Sequence, residues 1–576
     1  MTWSDSNYIQ FSFSHPLLPT ALLVRMTSAS PSAAKATAYH LPLRYSAWAL
    51  TVVGLLLLWP LLAIVASWLA LDMAGLQTLQ AMAQTVLPRY ALTSLVLCLA
   101  VGIGVAVVGA SVALAVTVFT FPGRRFFEWA LLLPLAVPPY VVAYGYTDFL
   151  QFGGPLQTVL RGALGLEGRV FPEVRSLGGA IWVFIFTLYP YVYLLARTAL
   201  SERATSLLEA AALMGASLSR RLWTIALPLA RPAIAAGVAL ALMETLADFG
   251  VVSYFGVQSF TAGIFKAWLA LDDRYAAAQL ASVLLVLVAL FLHTEQNAQK
   301  RMRFSARQMA GRGSSLQAKP LRGRAAFAAI ALCSLPLLAG FVLPVVFMLR
   351  PLLHGWSDLQ LAPFWGWTLN SLRLGLLTAT LATLLALGLG LLNRVRPGRL
   401  STALVGGISL GYAVPGAVVV VGLLLPLGWL QHWMPGNTLG ALVTASSAGI
   451  VWAYLVRFTS VALQSVQSGY SRVPRSLDET ARLLGCSGWA LLARVHWPLL
   501  RRSTAVAGLL VFVDVMKELP ATLVLRPFNS DTLAVMTYQL ARDERLGEAA
   551  LPALALVLVG LIPVILISRT LRNPNG

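Results

Sequence analysis

The chain has 576 residues, of which 58% are hydrophobic and only 11% charged, and this composition excludes an ordinary soluble domain, which could not bury so much apolar surface. A net charge of +20 would suggest a nucleic-acid partner for a soluble protein, but here Lys and Arg gather in loops between long apolar runs. That pattern is typical of a protein surrounded by membrane lipid and predicts no nucleic-acid partner. The three cysteines lie far apart and indicate neither a disulfide framework nor a metal cluster.

The chain begins with a tail, residues 1–44, that is rich in Ser, Pro and Thr and is expected to be disordered. Apolar runs of roughly 20 residues then predict membrane-spanning helices, because backbone polar groups in lipid must be paired within a helix. The first half, 45–293, contains six such runs. They lie near 46–71, 91–118, 127–149, 179–200, 233–256 and 276–293.

Residues 294–324 carry eight Lys and Arg against one acid, Glu295, and include a Gly- and Ser-containing stretch. They predict a basic cytoplasmic linker between two halves. The second half, 325–576, contains six more runs, near 325–349, 369–393, 402–427, 440–463, 503–524 and 549–568.

Short matching segments show that the second half repeats the first. The matches are Thr93-Ser94-Leu95 with Asn370-Ser371-Leu372, Pro122-Gly123-Arg124 with Pro397-Gly398-Arg399, and Ala136-Val137-Pro138 with Ala413-Val414-Pro415. We therefore predict an all-α polytopic membrane protein of about 12 transmembrane helices, arranged as two parallel six-helix repeats. The excess of Lys and Arg in alternate loops predicts that both termini lie in the cytoplasm.

A polar loop occurs once in each half, always between the fourth and fifth span. The first loop, 206–228, and the second loop, 476–498, share the pattern S-x-x-E-x-A-x3-G-x9-[IV]-x-x-P at a constant offset of 270 residues. Ser and Glu at this spacing predict a capping box that starts a short helix, and the glycine predicts a left-handed turn that ends it. A second short helix would follow, so each loop is expected to be a helix–turn–helix outside the lipid. A single copy would be an ordinary amphipathic loop, but two copies in equivalent places favour a specific role.

The loop resembles the E-A-A-x3-G-x9-I-x-L-P signature of ATP-binding-cassette importer permeases. The first loop matches it at Glu209, Ala210, Ala211, Gly215, Ile225, Leu227 and Pro228. The second loop keeps Glu479, Ala481, Gly485 and Pro498, with Thr480, Val495 and Trp497 at the remaining positions. The resemblance implies that each loop is a coupling helix that docks on an ATPase subunit.

The same resemblance implies the partners. The chain contains no G-x4-G-K-[ST] phosphate loop, so we expect it to be a transport subunit rather than an enzyme, with no cofactor of its own. A cytoplasmic ATPase dimer would use the ATP, and a periplasmic or extracellular substrate-binding protein would deliver the substrate. The chain would lie in the bacterial inner membrane, and its two fused halves would supply a complete pore.

Charged residues follow both loops at equivalent positions within predicted spans. Glu244 and Asp248 lie in the fifth span, and Asp514, Lys517 and Glu518 in the eleventh. The four-residue spacing of the acids predicts that each pair shares one helix face. The acids could line a path for a cation, since hard cations prefer oxygen ligands, or they could pair with Lys517 or other helices and hold a gate closed. No set of residues has metal-ligand spacing, and we assign no metal site.

The segments 516–522, 525–528 and 531–534 resemble the ferric-iron branch of these permeases, and the fused two-half architecture fits that branch. The resemblance implies import of ferric iron by alternating access. Thiamine permeases share the fusion and are the nearest alternative. An ion-driven secondary transporter, which could use the buried acids to carry protons, is the alternative from another class.

Overall fold

The computed structural model describes residues 41–70, 73–201, 205–308, 319–354, 361–395, 398–436, 438–486 and 489–572. The predicted tail therefore lies almost wholly outside the described residues, although the first helix already begins at Leu41.

Helices dominate both halves. Those of the first half are α1 Leu41–Ala66, α2 Met73–Thr85, α3 Leu87–Val118, α4 Arg124–Ala130, α5 Pro139–Leu150, α6 Pro155–Leu164, α7 Leu177–Ala199, α8 Thr205–Leu213, α9 Leu218–Arg221, α10 Leu227–Ala247, α11 Gly250–Tyr254, α12 Phe260–Phe265 and α13 Arg274–Gln308. Those of the second half are α14 Gly323–Leu337, α15 Leu343–His354, α16 Leu361–Val395, α17 Arg399–Ser409, α18 Gly416–Trp433, α19 Leu439–Ala445, α20 Ser447–Tyr470, α21 Arg475–Leu483, α22 Trp489–Leu491, α23 Trp497–Lys517, α24 Pro520–Leu525, α25 Leu533–Arg542 and α26 Leu546–Arg572.

Short 3₁₀ and π-helical turns join several of these helices. The 3₁₀ turns are Ser67–Ala70, Leu133–Ala136 and Gly411–Ala413, and the π-helical turns are Leu222–Ala226, Lys266–Ala270, Leu338–Val342 and Leu492–His496. Two short parallel strands, β1 Phe119–Thr120 and β2 Lys319–Pro320, tie the loop after α3 to the chain just before α14.

Within the described ranges, ten helices are long and apolar enough to cross a membrane, and the bent pair Arg124–Ala136 and Pro139–Leu164 makes eleven if it counts as one span. Helix α23 is as long as α10 and follows the second loop as α10 follows the first, but Arg501, Arg502, Asp514 and Lys517 make it less apolar. The predicted all-α membrane fold with two six-helix repeats is confirmed.

One pair of equivalent hydrogen bonds explains why the serine of the Thr93-Ser94-Leu95 and Asn370-Ser371-Leu372 segments recurs. The Ser94 hydroxyl accepts the backbone N–H of Phe260 at the start of α12, at 3.2 Å. The Ser371 hydroxyl accepts the backbone N–H of Leu533 at the start of α25, at 2.9 Å. Each serine satisfies a donor that the first turn of a helix leaves free, so the sequence repeat corresponds to a repeated contact.

The first spans are exchanged between the halves. Helix α1 packs on α17 and α18 of the second half, and α15 packs on α5 of the first half as well as on α26. The Cβ of any larger residue at Gly422 would lie 2.1 Å from the Pro60 carbonyl oxygen, so glycine permits this close approach of α18 to α1. The exchange joins the two halves into one continuous apolar core.

Two predicted spans, 127–149 and 402–427, are not single helices. Val137 and Pro138 are extended between the Leu133–Ala136 turn and α5, and Val414 and Pro415 are extended before α18. Proline favours both breaks, because its ring disfavours a helical conformation at the residue before it.

The predicted linker 294–324 begins as a helix. Helix α13 continues to Gln308, and the stretch beyond 293 consists largely of Gln, Ala, Arg and Lys, which are good helix formers. Residues 309–318 lie outside the described ranges.

Candidate functional site: two loops and a central cavity

The first helix of the second loop begins before the serine of the sequence pattern. Helix α21 starts at Arg475, so Ser476 lies inside its first turn rather than before it. The residue that caps α21 is Pro474, whose side chain makes no capping bond, and the predicted capping box of the second loop is therefore wrong. The ring of Pro474 fixes φ near −59°, and its ψ of 145° takes the chain out of the helix, so α21 begins here without a side-chain bond.

The predicted left-handed turns are present in both loops. Gly215 has φ +80° and Gly485 φ +83°. The N–H of Ala216 donates to the Ala211 carbonyl at 2.9 Å, and the N–H of Cys486 donates to the Ala481 carbonyl at 2.8 Å. These are the six-to-one bonds that close a helix at a left-handed glycine.

From its second short helix onward, each loop runs without interruption into a membrane helix. The short helix α9 and α10 are joined by the π-helical turn Leu222–Ala226, and α22 and α23 by the π-helical turn Leu492–His496. Pro228 and Pro498 come two residues after these turns, where the widened backbone relieves the clash between a proline ring and the preceding carbonyls. A displacement of either loop would therefore be carried directly along α10 or α23.

Each loop presents two large apolar side chains to its surroundings at the tip of its first helix, while Ala211 and Ala481 are buried beneath. The exposed pairs are Leu213 (90%) and Met214 (80%) in the first loop, and Leu483 (89%) and Leu484 (79%) in the second. Ala210 is exposed, as are Thr480 and Glu479. Exposed apolar tips at equivalent positions are typical of a surface that another protein covers.

A buried polar network holds the second loop. Asp478 of α21 accepts bonds from Arg394 Nε through Oδ2, at 2.5 Å, and contacts His496 Nε2 through Oδ1, at 3.0 Å. Burial alone would raise the pKa of the Asp478 carboxyl, but the bonds from Arg394 and His496 outweigh it and hold that pKa below its ordinary value. The sequence pattern did not single out Asp478, although comparison of the two loops shows that it stands where the first has Leu208.

All five charged residues predicted after the loops line one cavity of about 410 Å³ between the halves. The cavity is itself built from equivalent residues of the two repeats, 270 positions apart. The pairs are Thr187 and Arg457, Leu188 and Phe458, Tyr191 and Val461, Glu244 and Asp514, Ala247 and Lys517, Asp248 and Glu518, Phe249 and Leu519, and Gly250 and Pro520.

Asp248 and Glu518 do not lie on a helix face, as the four-residue spacing predicted. Helices α10 and α23 end at Ala247 and Lys517, and the next residue of each is extended. Asp248 Oδ1 accepts the N–H of Val251 at 2.8 Å. Glu518 accepts the N–H groups of Ala521 and Thr522, both at 2.9 Å. The two acids thus cap the short helices α11 and α24, which explains why the chain leaves the helix at these positions.

Glu518 also forms a buried ion pair that sequence reasoning missed. Arg457 of α20 donates through Nη1 to Glu518 Oε1 at 3.0 Å, and the Thr522 hydroxyl lies 2.6 Å from Oε2. The Glu518 side chain is 1% exposed. The first half has no equivalent of this ion pair, because Thr187 stands at the position of Arg457.

Two hydrogen bonds cross between the halves at the cavity wall. The Tyr412 hydroxyl of the second half donates to Glu244 at 2.9 Å, and Lys517 Nζ donates to the Leu135 carbonyl of the first half at 2.9 Å. Leu135 and Tyr412 occupy equivalent positions in the two repeats. Lys517 makes no ion pair with an acid among the described residues, so of the two pairings considered, with Lys517 or with other helices, only the second is observed, between Glu518 and Arg457 of α20.

The four acids therefore divide into two kinds. Asp248 and Glu518 are committed to backbone and side-chain partners that hold the broken ends of α10 and α23. Glu244 meets only the hydroxyl groups of Tyr412 and Tyr191, and no described residue donates a hydrogen bond to Asp514, which lines the same cavity from α23. Of the predicted residues, Glu244 and Asp514 are the two that remain available to a substrate.

The described residues contain no group of three or more His, Cys, Asp or Glu side chains arranged to hold a metal ion. Any cation in this cavity would meet oxygen atoms from separate helices rather than a preformed cage.

The repeated helices, the cavity between the halves and the loops continuous with its walls define a membrane permease made of two equivalent halves. A model of the family described as binding-protein-dependent transport system inner membrane components matches residues 106–303 and again 380–572. The chain belongs to this family, with one family domain in each half. Membership favours the binding-protein-dependent class over an ion-driven secondary transporter.

Individual relatives cover the chain to different extents. It is 25% identical over 486 residues to the Fe(3+)-transport system permease protein FbpB 2 of Haemophilus influenzae, covering 83% of this chain and 88% of that protein. It is 24% identical over 504 residues to the probable ABC transporter permease protein y4fN of Sinorhizobium fredii, covering 82% and 86%. The molybdenum transport system permease protein ModB of Escherichia coli is 33% identical over 141 residues, which cover 24% of this chain and 57% of that protein.

Proposed function

We propose that this chain is the membrane subunit of an ATP-driven importer that moves ferric iron into the bacterial cytoplasm by alternating access. The observation that carries the proposal is the continuity of each loop with a helix that lines the central cavity. Movement of the two loops by one partner would move α10 and α23 together, and with them the cavity-lining residues Glu244 and Asp514.

The partner at the loops is a cytoplasmic ATPase dimer. Both loops offer the same surface, with a pair of exposed apolar side chains before a left-handed glycine, and two like surfaces suit two like subunits. A substrate-binding protein delivers the cargo from the other side. The chain lies in the inner membrane with both termini inside, since the loops that hold Arg220, Arg221, Arg501 and Arg502 then face the cytoplasm.

Two observations support ferric iron as the substrate, one from the relatives and one from the cavity of this chain. A relative named for Fe(3+) transport matches across both halves, whereas the molybdenum permease matches only a part. Four carboxyl groups line the cavity together with two basic side chains, Arg457 and Lys517, so acidic groups outnumber basic ones on the wall. Carboxylate and phenol oxygens suit a hard cation, and the phenol groups of Tyr191 and Tyr412 stand beside Glu244 at the same cavity.

Replacement of the loop glutamates tests the coupling role. In the chain that carries Glu209→Ala and Glu479→Ala, we expect loss of ATPase co-purification and of uptake. Glu167→Ala, an exposed glutamate remote from both loops, is the matched control and should change neither. Retention of both docking and uptake by the double variant would contradict the coupling role.

The identity of the cargo is tested on the delivering protein. The purified binding protein that stimulates this transporter should bind ferric iron and not thiamine in calorimetric titrations. Binding of thiamine in place of ferric iron would make the chain a thiamine permease and leave the coupling proposal intact.

A further inference from the structure

The two loops are attached to the membrane helices in different ways. In the second loop, Asp478 is 5% exposed and His496 is completely buried, and they contact each other at 3.0 Å. The other ring nitrogen of His496 lies 3.2 Å from the Tyr470 hydroxyl. Both imidazole nitrogens and both Asp478 oxygens therefore have partners, and the cluster is a closed one. We call Arg394, Tyr470, Asp478 and His496 the Asp478 network.

Arg394 extends this network to the backbone. It lies in the last turn of α16 and, besides its bond to Asp478, donates through Nη1 to the Tyr470 carbonyl at 3.1 Å. Its Nη2 donates to the carbonyls of Val473 and Pro474, at 2.9 and 3.0 Å. A single guanidinium thus ties the end of α20, the connection to α21 and α21 itself to α16, while His496 adds the start of α23.

Among the described residues, the first half has no such network at the positions equivalent to Asp478, His496 and Tyr470; residues 202–204, which correspond to the connection before α21, lie outside the described ranges. Leu208, Ala226 and Leu200 stand where the second half has Asp478, His496 and Tyr470, and all three are buried apolar residues. Counted along the uninterrupted helices α3 and α16 from the matched serines, the equivalent of Arg394 is Thr117. The buried hydroxyl of Thr117 has no hydrogen-bond partner among the described residues.

The difference has a mechanical consequence. Apolar contacts have no preferred direction, so helices that touch only through them can slide with little loss of contact. Charge-assisted hydrogen bonds have fixed lengths and angles, and displacement of one partner leaves a buried charge without compensation. The second loop should therefore move together with α16, α20 and α23, whereas the first loop has more freedom relative to α3 and α7.

We propose that the Asp478 network consists of positioning residues that fix the second loop to the membrane helices as one rigid unit, and that the first loop is the more compliant of the two. The functional part of this proposal rests on the coupling role proposed above. The rigid attachment itself does not, since it is a property of this chain alone.

Hydrogen exchange on the full chain in lipid nanodiscs tests the attachment without any partner. In the unmodified chain, the amides of α21 should exchange about tenfold more slowly than those of α8. Asp478→Asn should raise exchange in α21 by about tenfold and leave α8 unchanged. Arg472→Gln, which removes an exposed charge just before α21, is the matched control and should change neither. Equal protection of α8 and α21, or an unchanged α21 in Asp478→Asn, would overturn the proposal.

A second variant separates the polar bonds from simple packing. The triple substitution Arg394→Thr, Asp478→Leu and His496→Ala copies the residues of the first half into the second. Exchange in α21 should then rise to the level of α8, and substrate transported per ATP in the reconstituted complex should fall by about fivefold. Wild-type protection and wild-type coupling in this variant would overturn the proposal. If the triple variant fails to fold, Asp478→Asn decides alone.

The two proposals fail differently. If the loops do not couple transport to ATP, substitutions in the Asp478 network will leave transport per ATP unchanged while still altering exchange in α21. If the network does not position the loop, exchange will be unchanged while Glu209→Ala and Glu479→Ala still abolish transport.

Discussion

Substitution of the two loop glycines tests the loop geometry directly. Gly215 and Gly485 both have φ near +80°, and a Cβ added at either would meet nothing within 4 Å. Alanine therefore introduces no steric clash. Its only cost is the free energy of placing an L-residue in the left-handed region, about 1–2 kcal/mol. If the ATPase binds the loop with this turn intact, that penalty weakens binding by about 5- to 30-fold per loop.

The assay is the affinity of the purified ATPase subunit for the chain in nanodiscs, measured for Gly215→Ala and Gly485→Ala separately. Asparagine tolerates the left-handed region, so Gly215→Asn and Gly485→Asn should lose less affinity than the alanine variants. Gly406→Ala is the control, because that glycine sits on an exposed face of α17 with open space and no positive φ. Equal affinity of the alanine variants and the unmodified chain would refute the role assigned to the turns.

Three further predictions concern the cavity and the second loop. Glu518→Ala leaves Arg457 buried without its partner and should lower the free energy of unfolding by about 3–5 kcal/mol. The measurement is denaturant unfolding in detergent, and an unchanged unfolding midpoint would contradict the ion pair. Glu244→Gln and Asp514→Asn should keep ATPase docking yet lower iron uptake by about tenfold each, because each removes a carboxyl group that lines the cavity and holds no helix end. Unchanged uptake would remove both from the path. The pKa of Asp478 is lowered, so its bonds stabilise the second loop above the ordinary pKa and are lost as pH falls through the lowered value. The protection of the α21 amides, corrected for the pH dependence of intrinsic exchange, should thus be insensitive to protonation of Asp478 between about pH 8 and pH 5 and fall only in stronger acid.

Much of the architecture could be predicted because it depends on local and repeated patterns. Apolar length indicated the spans, and the offset of 270 residues indicated the repeats and the equivalent loops. The left-handed turns followed from Gly215 and Gly485 because few other residues adopt that conformation. The equivalent positions of the charged residues in the two halves suggested that they share a path. The sequence did not show that all five line one cavity.

The features that were missed depend on contacts between distant segments. Nothing near Glu518 in sequence indicates that it pairs with Arg457, or that it ends α23 by capping α24. The serine of the apparent capping box at 476 was misleading because Pro474 had already started the helix. Asp478 could have been found by comparison of the two loops, since an acid replaces a leucine at an otherwise apolar position.

The central claim is that ATP hydrolysis on a partner drives ferric iron through the cavity of this chain. The most direct measurement is accumulation of radioactive ferric iron in proteoliposomes that contain this chain with its ATPase, with the loaded binding protein added on one side. We predict accumulation that requires both ATP and the binding protein and that persists when a protonophore collapses the proton gradient. Iron accumulation that follows the proton gradient and ignores ATP, or accumulation of thiamine in place of iron, would contradict the account.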